Sequence, residues 1–312
     1  MTAKLMIASD IHDDTEALAA FTDFAQAQQA DRILLLGDLS LRPYTAQDLQ
    51  TLLAQQTEQG IPRSAVQTFI DAKNRHNTTT LNEMKRILDH SGISYHVIPG
   101  NYDGSLTGVF GAHDLHLKTT QFGEAKVAGY GGADAFPPHI QLLVDLGQIT
   151  SFNHQELYNF LMQEKPVIGI IHNPPNEMCD NMYNGQNVGT PATVAYIAHQ
   201  QPKLILSGHI HEAGPNGNNP AGVKGITGCE TAGKRTIVVN PGNLGRFDLM
   251  RMPTLETTMS FDHGTFSEVH IEADGTPTKA VHYSVQPEKE FRQRGLTDRH
   301  VGPVRELAEY AL

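Results

Sequence analysis

The sequence has little cysteine, no tryptophan and no long apolar run. Its two cysteines, Cys179 and Cys229, do not have the spacing of a metal site. So few cysteines disfavour a disulfide framework and are typical of a reducing compartment. No apolar run reaches the length that spans a membrane, and the run that follows Lys4 is too short for the core of a signal peptide. We therefore expect a cytoplasmic protein with no membrane span.

Positive charge is also scarce in this chain. Against 34 aspartate and glutamate residues there are 23 lysine and arginine residues, so the formal net charge is −11. This excess disfavours a broad electrostatic surface for nucleic acid or for an anionic membrane. A local positive site is still compatible with the composition, because bound metal ions add charge where no side chain does. Nucleic acid is therefore disfavoured as a partner.

The chain does contain a regular alternation of apolar runs and helix-like segments. Apolar runs predict strands at 4–9, 32–40, 94–101, 126–132, 166–175, 203–211 and 235–243. The pattern of 15–29 predicts a helix with Asp14 or Thr15 as its N-cap. The segment 45–90 predicts two helices with a break near 60–64. Residues 267–285 alternate on both sides of Asp274-Gly275 and predict a β-hairpin.

This order of elements predicts an α/β protein. The late strands lack helices between them, which indicates a mixed or second sheet. We expect one domain over residues 1–286, with a helical insertion at about 43–92, and a C-terminal tail over 287–312 that wraps the surface or frays. Three roles fit the insertion: a cap over a cleft, a dimer face in a homo-oligomer, or helices that pack on the sheet.

Residues that can bind metal follow five of the predicted strands. They are Asp10, His12, Asp38, Asn101, His172, His209 and His211. The carboxyl ends of strands are where ligands bind in α/β folds, so these side chains can converge on one crevice. The two pairs spaced by one residue point to the same side if the backbone is extended there. Carboxylate, amide and imidazole donors suit Mn, Fe, Ni or Zn, and seven donors fit two metals that share a carboxylate.

The motifs D-x-H, G-D, G-N, H and G-H-x-H occur in this order over residues 10–211. Their combination resembles the calcineurin-like metallophosphoesterase superfamily. The resemblance implies two mixed β-sheets packed as a sandwich and flanked by helices, in four αββα layers, with two divalent metal ions. It implies that one metal is held by Asp10, His12 and His211. It implies that the other is held by Asn101, His172 and His209, with Asp38 as a bridge and a bridging hydroxide that attacks phosphorus in line.

The chain departs from that family at the group that protonates the leaving group. Many members have a histidine directly after the asparagine, supported by an acidic residue three positions after the bridging aspartate. Here those positions hold Tyr102 and Leu41. Tyrosine has an unperturbed pKa of about 10 and is a poor acid at pH 7, but it can hydrogen-bond a substrate oxygen. Arg42 matches an arginine that binds phosphate in the protein-phosphatase branch, so the expected catalytic side chains are Asp38, Asn101, Tyr102 and Arg42.

The missing acid predicts which phosphoesters are hydrolysed. General acid catalysis contributes about 10²–10⁴-fold, so an enzyme without it favours leaving groups that need little protonation. Small phosphodiesterases of the superfamily also lack the histidine, and they share an N-P-G segment that matches residues 240–243. We therefore expect a phosphodiesterase with a small substrate, for which a cyclic nucleotide, a phospholipid headgroup and a dinucleotide are all open. The alternatives are a phosphomonoesterase acting on a small metabolite or phosphoprotein, and a Vps29-like metal-binding scaffold, in which the ligands are typically eroded.

Overall fold

The first three predicted strands lie side by side and parallel in the computed structural model. The structure describes residues 2–41, 44–58, 60–134, 144, 146–147, 149–150, 152–182, 185–211, 225–251, 256–287 and 301–312. The strands are β1 (Ala3–Ala8), β2 (Arg32–Leu35), β3 (Ser94–Val97), β4 (Lys118–Phe122), β5 (Ala125–Tyr130), β6 (Ile168–Ile171), β7 (Leu204–Leu206), β8 (Ile226–Thr231), β9 (Lys234–Val239), β10 (Phe247–Arg251), β11 (Glu256–Phe261), β12 (Gly264–Ile271), β13 (Pro277–Pro287) and β14 (Val301–Ala311). The helices are α1 (Thr15–Ala27), α2 (Ala46–Leu53), α3 (Arg63–Ser91), α4 (Thr107–Phe110), α5 (His154–Glu164) and α6 (Pro191–Gln200), with a 3₁₀ turn at Gly111–His113.

The strands form two mixed sheets of six and a separate ribbon of two. The first sheet has the order β14-β13-β12-β1-β2-β3, and the second has the order β4-β5-β6-β7-β9-β8. Neighbours are parallel from β1 to β3 and from β5 through β6 and β7 to β9, whereas the outer strands pair antiparallel. The ribbon pairs β10 with β11. The predicted mixed sheets are therefore confirmed.

Alternate residues of β1 pack in two different cores. Leu5 and Ile7 lie in the core between the sheets, where they pack with Ile170 of the second sheet. Met6 faces the other way and packs with Phe21 of α1. The far side of the second sheet is covered in the same way by α5 and α6. Both faces of the central strands are buried, which explains why they appear as continuous apolar runs and confirms the αββα layers.

Local signals set the ends of the helices. The side chain of Asp14 accepts a hydrogen bond from the Ala17 amide, so Asp14 is the N-cap of α1. Thr45 and Asp48 form a capping box at the start of α2. The long helix α3 ends at Gly92, whose φ of 66° is the left-handed value that favours glycine. The predicted break between the two helices is confirmed, because α2 ends at Leu53 and α3 begins at Arg63.

The C-terminal region is more ordered than its composition indicates. The predicted hairpin is formed by β12 and β13, which pair antiparallel around Asp274-Gly275. Residues 301–311, which we expected in a tail, form β14 at the edge of the first sheet. Val304 and Tyr310 pack onto the cores while charged residues between them face outward. An edge strand with one polar face explains why the composition of this segment resembles that of a tail.

No helix in the part of the chain that the structure describes combines the length and the apolar character needed to cross a membrane.

His282 of β13 makes the stability of this sheet depend on pH. Its side chain is buried, and burial lowers its pKa to about 4 from the usual 6.5. The unfolded chain therefore takes up a proton at higher pH than the folded chain does, so stability is complete above pH 6.5 and falls as the pH drops towards 4. We expect the His282→Gln variant to lose about 2 kcal/mol less stability than the wild type between pH 7.5 and pH 5.

Urea unfolding at the two pH values measures this difference. His199→Gln is the matched control, because it makes the same substitution at an exposed histidine on α6, outside the sheet. Parallel curves for His282→Gln and the wild type would show that this histidine is not the group responsible.

Candidate metal centre

The seven predicted donors lie where five strands end. They follow the carboxyl ends of β1, β2 and β3 in the first sheet and of β6 and β7 in the second. Because these strands are parallel within each sheet, their ends share one edge of the sandwich. The structure brings six of the donors into two clusters, and the seventh, Asn101, lies against the second cluster.

The first cluster consists of Asp10, His12 and His211. One possible ligand atom from each residue lies within 4.8 Å of the others. His211 Nε2 is 3.2 Å from Asp10 Oδ1, and the Nε2 atoms of His12 and His211 are 3.2 Å apart. Asp10 is fully buried, and its Oδ2 accepts a hydrogen bond of 2.9 Å from the amide of His209. That amide links the first cluster to the second.

The second cluster consists of Asp38, His172 and His209, with ligand atoms again within 4.8 Å of one another. His172 Nε2 lies 3.4 Å from Asp38 Oδ2 and 3.2 Å from Asn101 Oδ1. His172 Nδ1 lies 2.6 Å from the carbonyl oxygen of Leu36, to which it donates. In a neutral ring this bond leaves the lone pair on Nε2, which is the atom that faces Asp38 and Asn101.

The backbone at four of the seven donors is left-handed. The φ angles are 52° at Asp10, 47° at His12, 51° at Asp38 and 67° at His209. The expectation that an extended backbone aligns the pairs was therefore wrong: the chain turns sharply after β1, β2 and β7 and brings these side chains into the clusters. Such a conformation costs on the order of 1–3 kcal/mol per residue and persists only where neighbouring structure holds it. Here the amides of Ile11 and His12 both donate to the Asp38 carbonyl, at 2.8 and 3.1 Å.

The charges in the two clusters suit divalent cations. Burial alone would raise the pKa of Asp10 and Asp38, but nearby histidines, chiefly His211 and His172, hold both well below the usual range. Burial, then the charge of a neighbouring histidine, lowers the pKa of His12 to about 4 and that of His209 to about 3. At pH 7 the carboxylates are therefore ionised and these two imidazoles neutral, which are the forms that bind metal.

His172 in the second cluster is held in its charged form by a carboxylate. Burial lowers its pKa, but the Asp38 carboxylate outweighs that effect and raises the pKa to about 9. A metal ion that binds at Nε2 has to displace this proton, so metal binding should release a proton here.

Unpartnered buried oxygens are a second observation that fits metal ions. Asp10 Oδ1 and Asp38 Oδ2 are buried and accept no well-formed hydrogen bond from the described residues; the neighbours of these two oxygens are His211 Nε2 at 3.2 Å and His172 Nε2 at 3.4 Å. A buried carboxylate oxygen without a partner is costly in free energy unless a cation lies beside it. The donor set therefore fits two divalent ions, while the metal identity is not determined by these donors.

A buried aspartate that we did not single out from the sequence holds the donor loops together. Asp103 accepts hydrogen bonds from the amides of Leu39, Ser40 and Gly100 at 2.8–3.1 Å. It thereby ties the loop after β2 to the loop after β3. Burial, then the nearby Asp38 charge, raises its pKa to about 6. The sequence feature that could have identified Asp103 is its position two residues after the predicted donor Asn101.

The predicted helical insertion also contacts these loops. The side chain of Asn77 in α3 donates a hydrogen bond of 2.7 Å to the Asp103 carbonyl, and the side chain of Lys73 donates one of 2.6 Å to the Leu41 carbonyl. Leu81 and Met84 of the same helix pack in the core that covers the first sheet. Of the three roles open for the insertion, packing on the sheet is therefore the one with described contacts. The cap and the dimer face stay predictions.

The residues that replace the missing acid pair are close to the donors. The backbone amide of Tyr102 donates a hydrogen bond of 2.8 Å to Asp38 Oδ1. The ring centroid of Tyr102 lies 6.0 Å from that of His12. The amide of Leu41 donates 3.0 Å to Asp13 Oδ1, so Leu41 is part of the same loop system. Arg42, the predicted phosphate-binding residue, lies outside the described residues.

Comparison with known proteins points to one family. The model of the family described as calcineurin-like phosphoesterase matches residues 3–213. The search of curated proteins finds no match.

Solved structures share the fold at low sequence identity. One crystal structure is 16% identical, with a TM-score of 0.57, and the match covers 87% of this chain and 95% of that chain. The protein TT1561 of Thermus thermophilus is 18% identical with a TM-score of 0.49, over 84% of this chain and 99% of that chain. A dimetal phosphatase from Danio rerio is 10% identical with a TM-score of 0.49, over 90% and 95% of the respective chains. At sequence identities this low, structural similarity indicates a shared fold and nothing more. Of the three structures, only the first has a TM-score above 0.5 and supports that statement.

We expect divalent metal to stabilise the folded chain. The unpartnered oxygens of Asp10 and Asp38 would gain a cation that the unfolded chain does not hold, and a ligand at 100 times its Kd stabilises by about 2.7 kcal/mol per site. Thermal unfolding of chelator-treated protein, with and without Mn²⁺, measures the rise in Tm. In Asp38→Asn, which keeps the side-chain volume, the rise should be clearly smaller. An equal rise in the variant and the wild type would place the metal elsewhere.

Proposed function

We propose that this chain, which belongs to the calcineurin-like phosphoesterase family, is a phosphodiesterase. It would use two divalent metal ions and act on a small phosphodiester substrate. The observation that carries the proposal is the pair of donor clusters at one edge of the sandwich. The family supports a phosphoester hydrolase. Three further statements belong to the proposal: the preference for diesters, manganese as the metal in the tests, and a cytoplasmic location. The scarcity of cysteine favours that location.

Each cluster would hold one metal ion. Asp10, His12 and His211 would bind the first, and Asn101, His172 and His209 would bind the second. Asp38 would be shared between the two sites, because it belongs to the second cluster and its backbone carbonyl accepts hydrogen bonds from the amides of Ile11 and His12 in the loop of the first. Two metal ions in this place would supply an activated water and would stabilise the negative charge on the phosphoryl oxygens.

The side chains of this chain would orient the substrate and control its surroundings. The Asp38 carboxylate is held in place by the Tyr102 amide, so the donor that we assign to both metals cannot rotate freely. Five of the donors are buried, with an exposed fraction of 0–4%: Asp10, His12, Asp38, Asn101 and His172. This burial keeps water from competing for them. Asn101 presents a neutral oxygen, which adds a donor without more negative charge.

The preference for diesters follows from what stands where a general acid would be. Leu41 has no proton to give, and Tyr102 is a weaker acid than histidine at pH 7. A leaving group would depart largely without protonation by a side chain, which favours leaving groups of low pKa. A phosphodiester also brings one negative charge instead of two to a cleft in an acidic protein. Complete donor clusters argue against a scaffold without turnover, because a scaffold does not need them.

We expect Mn²⁺-loaded protein to hydrolyse bis-p-nitrophenyl phosphate faster than p-nitrophenyl phosphate. The reason is the single charge of the diester, because p-nitrophenol is the leaving group of both substrates and needs no proton; the missing acid adds the expectation that alkyl esters are turned over slowly. Initial rates for both substrates, and for glycerol 2-phosphate as an alkyl monoester, measure the preference. Asp38→Asn is the control and should lose at least 10²-fold in kcat/KM on the diester. Equal or faster turnover of the monoesters would favour the phosphomonoesterase, and metal binding without turnover of any of them would favour the scaffold.

Replacing Tyr102 tests the leaving-group argument directly. Tyr102→His restores an imidazole beside Asp38, and general acid help of this kind is worth about 10²–10⁴-fold when it is well placed. We expect a rise of at least about tenfold for alkyl leaving groups and little change for p-nitrophenol, which needs no proton. Tyr102→Phe is the matched control and should change neither class of leaving group by more than severalfold. A loss of alkyl ester turnover in Tyr102→Phe would instead make the tyrosine hydroxyl the acid.

A further inference from the structure

Two phenylalanines from the β10–β11 ribbon lie against the first metal cluster. The ring centroid of Phe247 is 4.2 Å from that of His12 and 4.8 Å from that of His211. Phe261 stacks on Phe247 at 4.9 Å and lies 5.3 Å from His211. The ribbon follows residue 213, where the match to the family ends. These contacts are therefore made by a part of the chain outside the matched span.

One histidine of each cluster, His172 and His12, is held in a different way. His172 of the second cluster has a hydrogen bond from Nδ1 to the Leu36 carbonyl. His12 of the first cluster has a buried Nδ1 with no hydrogen-bond partner among the described residues. A histidine that binds metal usually donates from its other nitrogen, and that bond fixes the ring. At His12 the rings around the imidazole are the contacts left to fix its orientation.

The start of the ribbon is attached to the loop that carries Asp10 and His12. The amide of Leu244 donates a hydrogen bond of 2.8 Å to the Ser9 carbonyl, and the amide of Gly245 donates one of 3.1 Å to the Asp10 carbonyl. A Cβ at Gly245 would overlap the Ile11 carbonyl, so the two segments are as close as a glycine permits. The position of Phe247 is thus coupled to the backbone of the first cluster.

A buried ion pair strengthens that attachment. Arg246 is 4% exposed, and its Nε and Nη2 donate to the two carboxylate oxygens of Asp14, at 2.7 and 3.0 Å. Asp14 is at the same time the N-cap of α1, so its own position is fixed by the helix. A paired, two-point contact of this kind is geometrically specific. It sets the point from which Phe247 extends towards His12.

We propose that Phe247, with Phe261 behind it, is a positioning residue that holds the imidazoles of His12 and His211 and so sets the affinity of the first metal site. The second site, with its hydrogen-bonded His172, does not depend on the ribbon. This inference rests on the metal centre of the proposed function and not on the class of phosphoester. Residues that orient metal ligands are worth roughly 10–100-fold in metal affinity.

Titration of chelator-treated protein with Mn²⁺, followed by calorimetry, tests the proposal without any substrate. We expect two sites in the wild type. In Phe247→Leu, one site should keep its affinity while the other weakens by at least about tenfold. In a His172→Ala background, which disables the second cluster, the remaining site should be the one that Phe247→Leu weakens.

Phe266→Leu is the matched control. Phe266 is fully buried and packs with Phe21 and Tyr283 on the helical side of the first sheet, away from the donors. This variant should lose stability comparable to that lost by Phe247→Leu and keep both metal affinities. Weakening of both sites in Phe247→Leu, or of neither, would overturn the proposal.

If Phe247→Leu does not fold, Phe261→Leu replaces it in the same titration. Phe261 contacts His211 and the ring of Phe247, so its loss should weaken the same single site. Unchanged affinity at both sites would contradict the inference. Selective weakening in a protein without diesterase activity would refute the phosphodiesterase and leave the positioning role intact, so the two failures are distinguishable.

Discussion

The buried negative charge of Asp10 and Asp38 is the constraint on which the rest of the site depends. Both carboxylates lie at 0–1% exposure, where an ionised group without compensation is strongly unfavourable. The fold compensates one oxygen of each with a backbone amide, from His209 for Asp10 and from Tyr102 for Asp38. The other oxygen of each faces an imidazole nitrogen, with His211 Nε2 at 3.2 Å from Asp10 Oδ1 and His172 Nε2 at 3.4 Å from Asp38 Oδ2. Those nitrogens are metal-ligand atoms, so a divalent cation held between each nitrogen and its carboxylate would take over the compensation of the buried charge.

Holding the carboxylates in this way requires strained backbone at the ends of short parallel strands. Left-handed φ angles at Asp10, Asp38 and His209 each carry a cost that the surrounding sheet has to offset. The offset comes from rigid neighbours: the strands are buried on both faces, and Asp103 ties two of the loops together through three amides. Sandwiching the sheets between helices is thus what makes the sharp turns tolerable in free energy. The same rigidity preorganises the donors before any metal arrives.

Much of this site was predictable from sequence because its donors are local features. Each follows an apolar run that ends abruptly, and strand ends at one edge of an α/β sheet bring such residues together. The Asp14 N-cap was predictable for the same reason. The left-handed turns were not, since aspartate and histidine adopt positive φ more often than most residues but still only in a small minority of positions. Nor were the partners of the donors: Arg246 reaches Asp14 across 232 residues of sequence, and no periodicity reports such a contact. The edge strand β14 was missed because its exposed face is charged.

The two clusters also differ in a way that the donor set alone conceals. A hydrogen bond from His172 to a carbonyl fixes both the orientation and the tautomer of that ring. Packing of Phe247 on His12 fixes orientation only, and it lowers the local polarity, which strengthens the interaction between Asp10 and a cation. The matched family span supplies the donors, whereas the ribbon that surrounds one cluster comes after that span. In this chain, therefore, the donors of the first cluster come from the matched span, while the aromatic rings packed on two of them, His12 and His211, come from a segment beyond it.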